Sequence, residues 1–393
     1  MNQKTISFAY AALQGIYWMS HGVVYSFAAV FLLDRHFTDS QVGAIIALSC
    51  IFSALFQPLM AAAADRGEMF SLRSLFTMLC VVAMIPAMLL FFFRKTSAFS
   101  AFCYVLFLLL HLSIQPLLSA LGMQLINNGY PLNFGVARGI GSMSYAALTF
   151  FLGAITLRFT TSCLPLLACV LYVCLILLLC FFPNTRRRGA RTVSSVGTMA
   201  VLQKHKKFSL FILGILLIFI SHSAINTYAI QILRPMGKGN EELGQLMAYT
   251  AVLEFLVMLS FSRIMKGRDC GNVLKFTAVF FVLKGVLVAM APNLPLLYGA
   301  FLTQLFSFAL FTPASVYYAD KILEEGDSVK GQALITVAIT AGNILGSFFC
   351  GFFIDLWGIT AAIWVTTAFT AIGMVFFFCG VEKVGKWEEK RLS

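Results

Sequence analysis

Charge is what this chain has least of. Asp, Glu, Lys and Arg make up only 11% of its 393 residues, against about a quarter in an ordinary soluble domain. With 60% hydrophobic residues beside that deficit, a water-soluble globule is excluded. Catalytic signatures are also missing: there is no HExxH, no Gly-x-Ser-x-Gly elbow, no phosphate loop and no CxxC pair. Neither an enzyme nor a nucleotide-driven pump is expected. The ten cysteines, all but Cys270 within or beside apolar runs, read as packing residues rather than a disulfide frame. The histidines are not spaced as a zinc set, so no metal and no cofactor is expected. Short alternating strands are lacking too, which excludes a transmembrane barrel.

What the chain has is long apolar runs. A span needs about 20 mostly apolar residues to cross a hydrocarbon layer of ~30 Å. Twelve runs qualify, near 8–33, 41–64, 73–93, 98–126, 134–157, 162–182, 208–232, 242–263, 272–291, 295–320, 331–354 and 359–380. Backbone polar groups in lipid must bond internally, so these runs are expected to be helices. Only MNQKTIS precedes the first run and no small-residue cleavage site follows it, so it reads as a retained helix.

The net charge of +12 raises nucleic acid as a partner, but its placement points to topology instead. With the amino terminus inside, twenty of the 28 basic residues fall in cytoplasmic segments, and six (Arg35, Arg94, Lys95, Arg158, Arg234, Lys238) face outward. That bias predicts both termini in the cytoplasm of a multi-pass protein of the cell membrane. Seven of the basic residues sit in the longest polar break, 183–207, which reads as a cytoplasmic linker between six-span halves at 1–182 and 208–393.

The halves echo one another. SHGVVYSFAAVFL from Ser20 and SHSAINTYAIQIL from Ser221 lie 201 residues apart, and the same offset relates Gly43 to Gly244. Six spans per copy make the repeat parallel. Polar stripes at helical spacing mark some spans: Gln14, Tyr17, Trp18, His21 and Tyr25 in the first; His111, Gln115 and Ser119 in the fourth; His222 and Asn226 in the seventh; Gln304, Ser307 and Ser315 in the tenth; Thr336, Thr340, Asn343 and Ser347 in the eleventh. The third, sixth and twelfth spans offer little but carbon and a few hydroxyls, and are expected against lipid. Each stripe is either interhelical glue or the lining of a shared aqueous cavity; five together favour the cavity.

These features give the chain a strong likeness to transporters of the major facilitator superfamily. It most resembles the branch holding lactose permease and the phenylpropionate permease, through NFGVARGIGSMSYA, LTQLFSFALFTPASVYYADKI and the single glutamate of AVLEFLVML. The resemblance implies an all-α membrane fold of twelve helices in two parallel six-helix bundles. It also implies that Asp65 and Arg66, in AAAADRGEMFSLR, belong to the gating segment between spans two and three, although the glycine comes early and the following basic pair is missing. Within that resemblance Gln124 stands where lactose permease has a sugar-binding glutamate. Phe301, Gln304 and Ser307 replace its span-ten coupling cluster, so the same relay cannot run here.

Only Arg138, Glu254 and Lys284 place formal charge well inside the spans. Such charges cost roughly 2.5–3.5 kcal/mol at a helix centre and normally pair or meet water. Glu254 is the candidate proton-binding group, with Lys284 as its partner in coupling; a static ion pair is the structural alternative. Arg138 aligns with a substrate-contacting arginine of the family and suits a carboxylate or paired hydroxyls, or it snorkels to the inner surface. His21 and His222 are ligands for solute or proton, or satisfied structural residues. With Gln14, Trp18, His111, Gln115, Gln124, Asn226 and Gln304 they form the expected substrate set. The expectation is a monomeric, proton-driven symporter importing a small polar or anionic organic solute (a sugar, nucleoside or aromatic acid) by rocking its halves. Proton-driven export of amphipathic compounds is the alternative.

Overall fold

The structure, a computed structural model, describes residues 3–66, 71–182, 198–323 and 328–385. Of these, the side chains of 3–4, 61–66, 198–200 and 328–329 lie outside the description. Every regular element among the described residues is helical. In chain order they are α1 (Gln3–His21), a π turn (Gly22–Ser26), α2 (Ala28–Asp34), α3 (Asp39–Arg66), α4 (Leu72–Phe92), α5 (Ala98–Asn127), α6 (Phe134–Phe159) and α7 (Cys163–Leu179). There follow α8 (Thr198–Lys204), α9 (Lys206–Thr227), α10 (Ala229–Leu233), α11 (Asn240–Met265), α12 (Cys270–Met290), α13 (Leu294–Leu302), α14 (Phe308–Ile322) and α15 (Ser328–Gly380). Most of the basic linker, including Arg186, Arg187, Arg188 and Arg191, lies outside the described residues, as do the side chains of Asp65 and Arg66.

Among the described residues nine helices are long and apolar enough to cross a membrane, or ten when α1 with its π turn and α2 count as one bent span. The apolar α7 is shorter, at seventeen residues. The long α15 is two spans divided at Gly358, whose φ of 81° and ψ of 169° fall in a region open essentially to glycine alone. These account for the twelve expected spans, and the chain is an all-α, multi-pass membrane protein.

The repeat is written in the backbone as well. α1 and its π turn end at Phe27 (φ −98°, ψ 13°), and α9 ends 201 residues later at Tyr228 (φ −104°, ψ 24°). Short helices follow each break at Ala28 and Ala229, and the next long helices begin at Asp39 and Asn240, again 201 apart. A broken helix frees carbonyls that lipid cannot satisfy. Tyr104 answers this by donating to the Val24 carbonyl at 2.8 Å. Pro116 inside α5 has no N–H for the carbonyl four residues back, and Gln57 Nε2 donates to that Leu112 oxygen instead, at 3.4 Å.

The chain divides into two compact units, Met1–Thr192 with Lys238–Ala251, and Val193–Gly237 with Val252–Ser393. The first half of α11 therefore groups with the first unit. Small residues permit this: a Cβ at Gly153 would overlap the Asn240 carbonyl oxygen, and one at Gly244 the Thr149 carbonyl oxygen. Asn240 Nδ2 also donates to Thr156 Oγ1 at 3.3 Å. In the second unit Gly342 and Gly346 of α15 likewise sit against the Leu216 and Ile220 carbonyls of α9.

Arg35, counted above among the cations on the outer side, is buried at 5% exposure. Its guanidinium donates to the carbonyls of Phe93 (2.7 Å) and Leu90, closing the carboxy-terminal end of α4, where a cation also suits the helix dipole. Arg35→Ala is expected to lower the thermal stability of the purified protein by about 1.5–3 kcal/mol, the worth of hydrogen bonds to a charged group. A thermal melt in detergent unchanged from wild type would refute that assignment.

Candidate functional site

Two buried polar clusters stand at the repeated histidines, one in each unit. In the first, α1 supplies Gln14, Tyr17, Trp18 and His21 at helical spacing, so they share a face. The indole N–H of Trp18 donates to Gln14 Oε1 (3.2 Å), Gln14 Nε2 donates to the Tyr10 hydroxyl (2.8 Å), and that hydroxyl donates to the Leu118 carbonyl (3.1 Å). An indole can only donate, so the orientation of the Gln14 amide is fixed. Arg138, from α6, lays its guanidinium 3.7 Å from the centre of the Trp18 ring and donates to Ser142 Oγ at 2.8 Å. The guanidinium thus turns into the unit rather than snorkelling away. A cation on an indole face gains about 0.5–2 kcal/mol, more as water is excluded.

His21 is the last residue of α1 before the π turn, and such turns concentrate at functional sites. The turn brings Tyr25 into a stack on His21, with centroids 5.0 Å apart and planes 18° apart. On its other side His21 Nδ1 meets His111 Nε2 at 3.3 Å, and His111 Nδ1 meets the Tyr172 hydroxyl at 3.0 Å. Tyr17 stacks on His111 at 5.1 Å and 8°. For a neutral His111 the chain has two polarities. If the Tyr172 hydroxyl donates to Nδ1, then His111 Nε2–H donates to His21; if the proton sits on Nδ1, His21 donates instead. The histidine pair can therefore present either a donor or an acceptor without gaining charge.

Tyr172 was not anticipated. It lies on α7, the sixth span, expected against lipid, yet it is fully buried. A lone hydroxyl in a leucine run was the available signal. The same correction holds for the twelfth span, where Thr366, Thr367 and Thr370 are buried and Thr370 donates to the Ile218 carbonyl at 3.3 Å. Gln115 is exposed on α5, one turn from the buried His111. Gln124 is buried on the same helix.

In the second unit His222 stacks on Phe308 (4.7 Å, 14°) and is edged by Phe219 and Phe281. Asn226 Nδ2 donates to the His222 carbonyl at 2.8 Å and lies 3.2 Å from His222 Nε2. The carbonyl can only accept, so it orients the amide, and Nε2 becomes an acceptor with the ring proton on Nδ1. That Nδ1 is buried with no hydrogen-bond partner among the described residues.

The in-span charges of this unit meet through a third residue. Lys284 Nζ donates to Gln304 Oε1 at 2.7 Å, and Gln304 Nε2 donates to Glu254 Oε1 at 2.8 Å. Lys284 and Gln304 are 1% and 2% exposed, and the ammonium sits 4.5 Å from the Phe301 ring centre. The glutamine is aimed by a backbone irregularity: Thr303–Leu305 form a 3-10 turn between α13 and α14, and Ser307 is non-helical at φ −98°, ψ −102°. A neutral amide can accept from an ammonium at its oxygen and donate to a carboxylate at its nitrogen, two ends about 2.3 Å apart on one planar group. The span-eleven stripe divides: Ser347 bonds Ser223 Oγ at 3.0 Å and serves as glue, while Thr336 and Thr340 bond their own helix.

Twelve spans, a parallel repeat and buried polar clusters at equivalent places are the anatomy of a secondary transporter, and sequence comparison agrees. The family model described as "MFS_1 like family" matches residues 10–365. The chain belongs to that family, within the major facilitator superfamily. It is 24% identical over 354 residues to the uncharacterized transporter YwbF of Bacillus subtilis (strain 168), covering 87% of this chain and 85% of that protein. Among solved structures it resembles the nucleoside transporter NupG, with a TM-score of 0.81 at 16% identity over 97% of this chain and 98% of that one. An auto-inhibited POT family peptide transporter is similar at a TM-score of 0.74 and 10% identity, with 98% of each chain covered. These likenesses show the fold. The MFS_1-like chain is a transporter and not an enzyme.

Removing the bridging amide takes the acceptor from the buried Lys284 ammonium and one donor from the Glu254 carboxylate. Gln304→Leu is expected to cost about 1.5–3 kcal/mol of stability. Adding Glu254→Gln and Lys284→Met together should recover part of that loss, because no buried charge then lacks its partner. Strictly additive losses across this cycle, measured by thermal unfolding, would dissolve the proposed chain of contacts.

Proposed function

We propose that this transporter is a proton-coupled symporter that imports a small polar or anionic organic solute by alternating access. The observation that carries this reading is the Glu254–Gln304–Lys284 chain in the middle of spans eight to ten. A carboxylate held through a neutral amide near a buried cation is placed between opposing influences: apolar surroundings favour its protonated form and the cation its charged form. Loading it with a proton removes a charge from the apolar interior, which lowers the cost of burying the solute with it. Asp65 and Arg66 keep the gating role that the family pattern suggests.

In this reading Trp18, Gln14, His21, His111 and Arg138 are the solute-contacting residues of the first unit, and Gln124 is a further buried polar residue on α5. In the second unit the buried His222 Nδ1–H and Asn226 are candidate hydrogen-bonding groups in their own right. Aromatic faces at Trp18, Tyr25 and Phe308 suit a planar ring, so nucleosides and aromatic acids are the first solutes to test, with sugars third. The likeness to a nucleoside transporter supports that order, and the quoted motifs support kinship with the lactose permease and phenylpropionate permease branch. The charge bias supports a place in the cell membrane with both termini cytoplasmic, and no feature of the chain requires more than a monomer. A second reading, proton-driven export of amphipathic compounds, is favoured by the phenylalanine surround of His222.

Two measurements test the proposal. In proteoliposomes, Glu254→Gln should abolish accumulation driven by a pH gradient while solute still shifts the thermal melt of the purified protein; accumulation at wild-type rate would remove Glu254 from coupling. Replacing His21 and His222 singly by Ala should weaken solute binding about tenfold each, the value of about one to two buried hydrogen bonds. Unchanged affinity in both variants would take the histidines out of the solute site. The direction of proton flux on adding solute distinguishes import from export.

A further inference from the structure

The second unit contains a cavity of about 880 Å³ separate from the histidine and glutamate clusters. Its walls are apolar: Leu256, Val257 and Ile264 from α11, Phe276 from α12, and Phe306 and Leu310 at the α13–α14 break. Leu256, Phe276 and Phe306 are left exposed along it, so the groove opens sideways. Apart from Ser260 midway along α11, the polar lining gathers at one end, at Arg268 and Asp269 in the turn after α11 and Asn272 in the first turn of α12. There Gly267, at φ 71°, lets the chain reverse.

The charges at that end are unequal. Both carboxylate oxygens of Asp269 are occupied by backbone donors, Oδ1 by the N–H of Asn272 at 2.9 Å and Oδ2 by the N–H of Val384 at 2.8 Å. Arg268 is exposed, and its guanidinium has no hydrogen-bond or ion-pair partner among the described residues. Arg268 thus presents an unused planar donor fork that suits phosphate, beside the engaged Asp269 carboxylate. Length adds a second constraint. From Leu256 to Met265, where α11 ends, the wall follows nine residues, about 13.5 Å at helical rise, and the turn that carries Arg268 lies beyond it. One leaflet of a ~30 Å hydrocarbon layer is about 15 Å deep. A groove of that length, apolar but for Ser260 along its wall and carrying a free guanidinium at one end, has the dimensions of a lipid standing in one leaflet.

We propose that this groove is a binding site for one anionic phospholipid, with its phosphate on Arg268 and its acyl chain along α11, α12 and α14. A zwitterionic lipid fits the wall equally, but its ammonium would have to share the Asp269 carboxylate with the two backbone donors that already hold it. The inference goes beyond transport and needs no solute. It stands or falls separately from the role of Glu254.

The test uses the full chain purified in detergent, with phosphatidylglycerol and phosphatidylcholine of identical acyl chains as probes and native mass spectrometry as the readout. Wild type is expected to retain one phosphatidylglycerol in preference to phosphatidylcholine. Arg268→Gln should cut that preference about fivefold, the worth of one cation beside an anionic headgroup. Ser260→Trp, which fills the groove while leaving the mouth intact, should reduce retention of both lipids. Arg263→Gln, a nearby exposed cation outside the cavity lining, should change neither. Equal retention of the two lipids by wild type, a preference that survives Arg268→Gln, or an equal loss in Arg263→Gln would overturn the site in favour of diffuse surface attraction. Each variant is first checked for a wild-type elution profile, and Ser260→Trp keeps the proposal open to refutation should Arg268→Gln fail to fold.

Discussion

A polar group inside hydrocarbon finds no water, so it must find another protein group, and much of this structure follows from that demand. Three buried tyrosines each spend a hydroxyl on a backbone carbonyl of another helix: Tyr10 on Leu118, Tyr104 on Val24 and Tyr228 on Ser347. Arg35 closes one helix end, and Gln57 takes up the carbonyl that Pro116 leaves without its usual donor. The same rule governs the ionic groups. Lys284 reaches Glu254 through a glutamine whose two ends are matched in polarity to each. What distinguishes glue from site is whether the network closes on itself. Ser223 and Ser347 satisfy each other. His222 keeps a buried nitrogen without a hydrogen-bond partner among the described residues.

The repeat preserves backbone more faithfully than chemistry. Both copies break their first helix at the same place with nearly the same dihedrals, at Phe27 and Tyr228. The surroundings of the two histidines have diverged. His21 joins a second imidazole and a tyrosine, a chain whose donor and acceptor ends can exchange. His222 is walled by phenylalanines and tied to Asn226, which leaves it one tautomer. The repeat thus leaves an adaptable hydrogen-bonding pair in one unit and a single fixed tautomer in the other.

Much of the architecture was legible from composition and period. Scarce charge, twelve apolar runs and the 201-residue echo are one-dimensional properties, because lipid tests each span mainly on its own hydropathy and length. Gln14, Trp18 and His21 could be grouped because they share one helix face. Their partners could not, since Tyr172 and Arg138 come from helices whose rotation depends on packing. Burial could not be read either: Gln115, one turn from the buried His111 on α5, is exposed.

The sequence by itself determined that this chain spans a membrane as a helical repeat, and it singled out the three in-span charges and the paired histidines. Hydrophobicity and spacing act along the chain, and both can be counted there. Only the tertiary structure decided that Gln304 stands between Lys284 and Glu254, that Arg138 lies on Trp18, and that Tyr172 completes the histidine chain. Those contacts depend on a 3-10 turn, a π turn and the angle at which helices meet. Such features are set by many weak packing contacts at once, and no single stretch of sequence carries them.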